Sequence, residues 1–349
     1  MASSRPSRQP GEPPISARLP AVIPRVAAVM VGINDKRWLG PALASLTQSA
    51  DQGSDYLLDI YYVDNNSADG SAAYVRESFP RVRVIENEAN LGFARANNQV
   101  MRDALDDRAD YVFLVNPDTF TPYELVGHLT AFMEEWRDYG IVGPLQWNYS
   151  GREGRAEDPN SWTKSALAAG ESHGLAVNRA SLLPPPDPGT PRAPHTLEHA
   201  YVQGAALFAR AEMLRAIGIF DEAYHTFYEE TDLCRRARLA GWRVALLTKY
   251  GIYHQGGEGS PYRRLLMMRN KYYFLLTDID MKAADMVAIA WGWLLRDLAG
   301  DGVGGRSTPG RAWLELAHST AWLLARIPGI IRRRRIDANL RVASGDRSV

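Results

Sequence analysis

A chain of 349 residues with 46% apolar content has material for one large core or two modest ones. Its 40 basic and 40 acidic residues cancel, which leaves no global field to recruit nucleic acid. The single cysteine, Cys234, excludes an intrachain disulfide framework and fits a reducing, cytoplasmic compartment.

Residues 1–24 are rich in Pro, Ser and Arg and lack the apolar run of a secretory signal, so they read as a disordered tail. From Arg25 the pattern becomes regular. Val26 to Val31 is a β-branched run, and Trp38, Leu39, Leu43 and Leu46 then recur at helical spacing. Leu57 to Val63 reads as a strand, Ser71 to Ser78 as a helix, Val82 to Ile85 as a strand and Ala94 to Leu105 as a helix, before the short apolar strand Tyr111 to Val115. Strands alternating with amphipathic helices predict βαβ units, a mostly parallel sheet with flanking helices and right-handed crossovers, a Rossmann-like α/β architecture.

Thr121-Pro122, an N-cap followed by Pro at the first helical position, opens a helix to about Arg137, and Ile141-Val142 reads as a short strand. Residues 147–196 are polar and rich in Gly and Pro, the composition of long loops or a lid. Tyr201 to Ala209 restores order. A helix near Glu212 to Ile217, a turn at Phe220-Asp221, a helix from Glu229 to Ala240 ended by Gly241, and a strand from Arg243 to Leu247 follow. Residues 261–349 read as a helical region, with segments near Tyr262 to Leu276, Ala283 to Leu298 and Arg311 to Arg326 and a linker at 300–310. The longest apolar window, Met286 to Leu295, is roughly half of what a membrane-crossing helix requires.

Several side chains sit where this architecture places ligands, at the carboxyl ends of strands. Asp64 ends the second strand and could accept a hydrogen bond from a base or ribose, although Ser67 and Asp69 beside it also suit ordinary capping. Asn90 to Asn98 opens a helix whose N–H groups and flexible Gly92 could admit a phosphate or nucleoside. Asn116 and Asp118 end the Tyr111 strand, where Asn-Pro-Asp-Thr also makes good turn chemistry. Glu229, Glu230 and Asp232 bring three carboxylates to a helix start. Shielding by Phe227 and Tyr228 suits a general base, while Arg235 and Arg236 suit plain neutralisation. His254 follows the last predicted strand and, paired with Asp118, would complete a mixed oxygen and nitrogen site for Mn²⁺ or Mg²⁺. No Gly-x-Gly-x-x-Gly follows the first strand and no Walker pattern is present, which argues against a dinucleotide dehydrogenase or a P-loop NTPase.

The ordered set Val-Asp-Asn-Asn-Ser, Asn-Leu-Gly-Phe-Ala, Asn-Pro-Asp-Thr, Gln-Gly-Ala, Glu-Glu-Thr-Asp-Leu-Cys-Arg-Arg-Ala and Tyr-His-Gln-Gly-Gly resembles the inverting, GT-A-fold family 2 glycosyltransferases, especially rhamnosyltransferase-like members that extend bacterial surface polysaccharides. The likeness spans about Val26 to Asn270 and implies a GT-A catalytic domain over residues 25–260. It implies that Asp64 contacts the nucleobase, that Asn34, Asn90, Gly92 and Asn97 line the nucleotide pocket, and that Gln203 and Gly204 sit near the donor sugar. Asn116-Pro117-Asp118 stands where the family often has Asp-x-Asp, with Asp118 and His254 on a divalent metal and Asn116 in the first position. Glu230 matches the catalytic base, with Asp232 the next candidate and Glu229 also open.

The same resemblance implies a nucleotide-diphosphate sugar as partner, dTDP-L-rhamnose first, with UDP-galactofuranose and UDP-hexoses as alternatives. The implied acceptor is a saccharide or a polyprenyl-linked saccharide. Ile330-Ile331 followed by Arg332 to Arg335, behind a helix carrying Trp313, Trp322, Leu323, Leu324 and Ile327, reads either as an anionic-membrane contact at the inner face of the cell membrane or as a core helix with a solvated basic end. A sugar-1-phosphate nucleotidyltransferase fits less well, because Gly32-Ile33-Asn34-Asp35-Lys36 is not a Gly-rich loop with following Arg and Lys. A non-catalytic nucleotide-sugar-binding membrane scaffold is the reading from another class.

Overall fold

The computed structural model describes residues 23–148, 193–254, 262–299 and 308–343. The expected N-terminal tail, most of the 147–196 loops, the segment after His254 and most of the 300–310 linker lie outside the described residues. In chain order the elements are β1 (Arg25–Gly32), α1 (Lys36–Gln52), β2 (Leu57–Asp64), α2 (Ser71–Ser78), β3 (Arg83–Glu86), α3 (Gly92–Asp106), β4 (Tyr111–Val115), β5 (Thr119–Phe120), α4 (Leu125–Glu135), β6 (Tyr139–Asn148), β7 (Thr196–Glu198), β8 (Ala206–Arg210), α5 (Ala211–Ile217), α6 (Glu229–Leu239) and β9 (Arg243–His254). Four further helices follow: α7 (Arg263–Thr277), α8 (Ala283–Leu298), α9 (Pro309–Leu324) and α10 (Ile327–Ala343).

Both faces of β1 are covered, which is why its sequence is apolar without alternation. Val26, Ala28 and Met30 enter one core with Leu39, Leu43 and Leu46 of α1, while Ala27, Val29 and Val31 enter the other with Ala96, Val100 and Ala104 of α3. β4 divides in the same way, Tyr111, Phe113 and Val115 to the first core and Val112 and Leu114 to the second. The sheet order is β3-β2-β1-β4-β8-β6-β9-β5, with β7 also on β9. The long ladders β1–β2 and β6–β9 are parallel, as are β1–β4 and β2–β3, whereas β8 runs antiparallel to β4 and β6. This is the expected mixed α/β, mostly parallel sheet with flanking helices.

The differences from expectation come from long-range pairing. Ile141-Val142 is part of a ten-residue strand, despite Pro144, because β9 supplies a parallel partner and the register shifts between Pro144 and Leu145, where an N–H is missing. β9 does not end at Leu247. Its second half pairs with Leu145 to Asn148 and with β5, so His254 is the last residue of a strand and not part of the turn beyond it. Residues 201–205 precede the β8 ladder, and β7 joins the sheet by pairing to β9.

Half of the basic cluster is tied into the fold. α10 continues to Ala343, and Arg333 on it reaches Asp232 (2.8 Å), Asp221 (3.2 Å) and Asp337 (2.9 Å), while Arg334 donates to the carbonyls of Leu276 and Asp278. Arg332 and Arg335 remain exposed. Buried ion pairs also tie α7 to its neighbours: Lys271 lies 2.8 Å from Asp297 of α8, and Arg264 lies 2.6 Å from Glu315 of α9.

Candidate active site

The carboxyl ends of β1, β2, β4 and β9 bring most of the candidate residues to one edge of the sheet. β5 pairs with β9 so that Thr119 faces His254, and this register sets Asp118 beside the imidazole. Asp118 Oδ1 is 3.2 Å from His254 Nε2, with both side chains mostly buried. Asn116 Nδ2 approaches the same ring nitrogen at 3.3 Å, and Gln146 Nε2 lies 2.8 Å from Nδ1. With the proton on Nε2, Asp118 accepts it and the Gln146 amide donates to Nδ1. Turning that amide over would place its oxygen toward Nδ1–H and leave Nε2 free as a ligand atom. Gln146 is 8% exposed and went unrecognised in the sequence, because only the extended β6–β9 ladder brings it here.

Asp35 is a second residue that pattern reasoning passed over. Burial raises its pKa to about 6 in spite of the hydrogen bond that its Oδ2 accepts from Ile33 N (2.8 Å), and the nearby Asp118 and Asp69 carboxylates add to the rise. Among the described residues, no group of three or more His, Cys, Asp or Glu side chains is arranged to hold a metal, so Asp118 and His254 are the converging pair.

The expected nucleotide residues form a braced set of turns. Asp64 is buried and accepts from Ser67 N (2.7 Å) and Ala72 N (3.0 Å), while Asp69 accepts from Ser71 N (3.0 Å), so both carboxylates cap the start of α2. Asn34, in a left-handed conformation, accepts from Ala68 N at 2.8 Å and donates its own N–H to Ser67 Oγ at 2.9 Å. This crosslinks the β1 and β2 turns.

The start of α3 corrects one expectation. Leu91 N donates to Asn65 Oδ1, Gly92 N to Asn90 Oδ1, Phe93 N to Thr226 Oγ1 and Ala94 N to His225 O, all within 2.9–3.1 Å. The N–H groups expected to cradle a phosphate are therefore committed within the chain. Gly92 is required here for close approach: a Cβ would stand 2.3 Å from His225 Nδ1, and its φ is +79°. Asn97 is buried, donates to Phe93 O (2.9 Å) and keeps an unpartnered Oδ1. Gly204 admits the Phe93 ring, which a Cβ would meet at 3.2 Å.

The 201–205 segment links the two halves of the site. Ala205 O accepts from Asn116 N (3.1 Å), and Val202 N donates to Cys234 Sγ (3.4 Å), one turn beyond Glu230 on α6. Gln203 lines a small cavity with Gln146, His199 and Tyr201.

At the start of α6 the three carboxylates separate by environment. Glu229 and Glu230 each keep a buried Oε2 without a partner. Burial pushes Glu230 up to about 7 against the pull of its own and Thr231's backbone N–H, and burial with the added charge of Glu230 also pushes Glu229 well above its ordinary range. Asp232 behaves in the opposite way. Burial acts to raise its pKa, but Arg333, Arg236 and Arg235 together outweigh that and hold it well below the usual carboxylate range. Its oxygens take Arg236 Nε at 2.9 Å, Arg333 Nη2 at 2.8 Å and Arg235 Nη2 at 3.1 Å. A carboxylate so committed is a poor proton acceptor, and this overturns Asp232 as a candidate base. The turn before α6 is itself strained: His225, Phe227 and Tyr228 have φ of 64°, 74° and 76°, each costing about 1–2 kcal/mol for a residue with a Cβ.

Comparison with known proteins agrees with the fold and the family resemblance. The chain is 24% identical over 263 residues to the N-acetylglucosaminyl-diphospho-decaprenol L-rhamnosyltransferase of Mycobacterium tuberculosis, covering 68% of this chain and 81% of that protein. It is 25% identical over 216 residues to the low-salt glycan biosynthesis hexosyltransferase Agl10 of Haloferax volcanii, covering 60% and 64%. Among solved structures, the mannosyltransferase PcManGT from Pyrobaculum calidifontis, in complex with GDP-Man and Mn²⁺, superposes with a TM-score of 0.51 at 17% identity over 93% of this chain and 87% of that one. S. aureus TarS 1–349 in complex with UDP-GlcNAc gives 0.51 at 14% identity, over 91% and 89%. The profile of Glycosyl transferase family 2 matches residues 28–208, more than half the chain, and the protein belongs to that family.

Proposed function

We propose that this glycosyltransferase moves a hexosyl group, L-rhamnose in the first instance, from a nucleotide-diphosphate donor to a saccharide or polyprenyl-linked saccharide acceptor in cell-surface polysaccharide synthesis, with inversion at the anomeric carbon. The observation that carries the reading is Glu230: a half-buried residue at the start of α6 whose enclosed Oε2 has no hydrogen-bond partner and whose proton affinity is raised, beside an Asp232 fully taken up by arginines. A base of this kind takes the proton from an acceptor hydroxyl as that oxygen attacks the sugar, and a single displacement inverts the centre. The mycobacterial relative is named for rhamnosyl transfer to a polyprenyl-linked sugar, which favours that donor and acceptor class over galactofuranosyl or other hexosyl transfer.

Asp118 and His254 suit a divalent ion such as Mn²⁺ or Mg²⁺, since one carboxylate and one imidazole converge within 3.2 Å, and such ions are commonly held by few protein ligands together with substrate phosphates. When bound, the ion would offset charge on the departing diphosphate. Asn116 and Gln146 orient the imidazole. Asp64, Asn34, Asn90, Gly92 and Asn97 shape the nucleotide side, and Gln203 and Gly204 the sugar side.

A peripheral membrane role is part of the reading. No helix among the described residues is long and apolar enough to cross a membrane. Yet Val287, Trp291 and Leu295 of α8 recur every fourth residue and are all more than half exposed, as are Trp313, Leu314 and Leu324 of α9. Apolar stripes of this kind, with Arg332 and Arg335 exposed on α10, suit an anionic bilayer surface, where a polyprenyl-linked acceptor would reside. The test is a donor panel of dTDP-L-rhamnose, UDP-galactofuranose, UDP-glucose and GDP-mannose by calorimetry with Mn²⁺ or Mg²⁺. Preference for dTDP-L-rhamnose supports the reading, and preference for another donor replaces rhamnose in it.

A further inference from the structure

The turn that delivers Glu229 and Glu230 does not hold itself. Its left-handed residues His225, Phe227 and Tyr228 carry side chains that disfavour the conformation, and few backbone bonds within the turn offset this, chiefly Thr226 N to Tyr224 O and Asp232 N to Tyr228 O, both 2.8 Å. Its most extensive outside support comes from 43 to 46 residues further along the chain. Asn270 in the middle of α7 is completely buried, and its Nδ2 lies 2.8 Å from each of three carbonyl oxygens, those of Tyr224, Thr226 and Phe227. Its own Oδ1 accepts from Arg269 Nε at 3.0 Å, and Arg269 Nη2 returns to Tyr224 O at 3.0 Å. One amide thus gathers three carbonyls of the four residues Tyr224 to Phe227, an arrangement that a side chain without N–H donors cannot reproduce.

We propose that Asn270 is a positioning residue: it fixes the His225–Tyr228 turn, and through it the direction in which Glu230 is presented. The inference rests on Glu230 as the base. The same turn also touches the start of α3, through Thr226 Oγ1 on Phe93 N and His225 O on Ala94 N. α7 is in turn held by the Lys271–Asp297 and Arg264–Glu315 pairs, which gives the helices beyond β9 a part in catalysis as well as in packing.

The decisive variant is Asn270→Asp, which keeps the shape but sets carboxylate oxygens against the three carbonyls. Asn270→Ala serves as a second variant that introduces no charge. Two measurements are made on the full chain: amide hydrogen exchange over residues 225–232, and steady-state transfer from dTDP-L-rhamnose to a short-chain polyprenyl-diphospho-N-acetylglucosamine. In both variants exchange over 225–232 should quicken at least tenfold while β1 and β4 keep their protection, and kcat should fall at least tenfold with donor KM changed less than threefold. Unchanged exchange in the turn of either folded variant overturns the proposal, whether or not the probe acceptor is used. So does a loss that appears only in KM. Glu230→Gln, measured alongside, separates the two ideas. Normal turnover in it removes the base assignment, whereas its failure together with wild-type kcat in both Asn270 variants removes the positioning inference alone. In the Glu230→Gln background, Asn270→Asp should lower kcat no further, because residues acting as one unit are not additive.

Discussion

His254 Nε2 lies 3.2 Å from Asp118 Oδ1 although 136 residues separate them in sequence, because Thr119 and His254 are registered partners in the short antiparallel ladder between β5 and β9. The two donors therefore depend on one another's strand. If they hold the donor's metal, Asp118→Ala and His254→Ala should each weaken Mn²⁺-dependent donor binding at least tenfold while leaving the metal-free affinity unchanged. Calorimetry with and without EDTA checks this, and equal affinities in wild type under both conditions would remove the metal from the account.

Arg333 joins the last helix to the site by meeting Asp232 and Asp221 together. Removing one member of a buried charge network typically costs about 3–5 kcal/mol, so Arg333→Ala should lower unfolding stability by that order at neutral pH. Asp232 has a depressed pKa, so its contribution is present above the unfolded value near 3.8 and fades as pH falls through the lower folded value. The deficit measured by urea unfolding should persist at pH 5 and shrink below pH 3; a deficit unchanged at the lowest pH would contradict the ion-pair explanation.

Glu229 has the opposite sign. Its folded pKa lies well above 4.5 because it is buried, so its neutral form suits the fold at low pH and stability is lost as pH rises through the folded value. Glu229→Gln should match wild type near pH 4 and be more stable at pH 8, as read from thermal unfolding at the two pH values. A variant less stable at pH 8 would point to a partner for the charged form.

Much of this was legible in the sequence because it is local. α2 and β4 fall where the pattern puts them, and the β1 to β4 series reads directly from apolar runs and helical spacing. What escaped depends on pairing between distant strands or on burial. Gln146 joins His254 only because β6 and β9 run past Pro144 together, and Asp35 becomes unusual only when enclosed near Asp118. Glu230 and Asp232 are two residues apart on one helix start, and sequence cannot separate them. The structure does so by turning Asp232 toward Arg235, Arg236 and Arg333. Within the arginine cluster, Arg333 and Arg334 meet partners that only the fold brings near, Asp221, Asp232 and the carbonyls that end α7, while Arg332 and Arg335 stay exposed.

The exposed stripes of α8 and α9 predict recruitment to anionic membranes. The full chain should float with vesicles containing phosphatidylglycerol and remain behind with pure phosphatidylcholine at low salt, and Trp291→Glu should reduce flotation several-fold. No flotation with the anionic vesicles would return these helices to a protein partner.

The central claim is that Glu230 accepts the acceptor's proton. With a pKa raised to about 7, the base gains its deprotonated form as pH rises, so wild-type kcat/KM should climb through that region and then level. The measurement is the pH profile of sugar transfer in wild type and Glu230→Gln, with donor affinity determined in parallel. The account predicts that Glu230→Gln binds donor as wild type does but transfers about 10²–10⁴-fold more slowly, with the rise near pH 7 abolished. Wild-type turnover with the rise intact would contradict it.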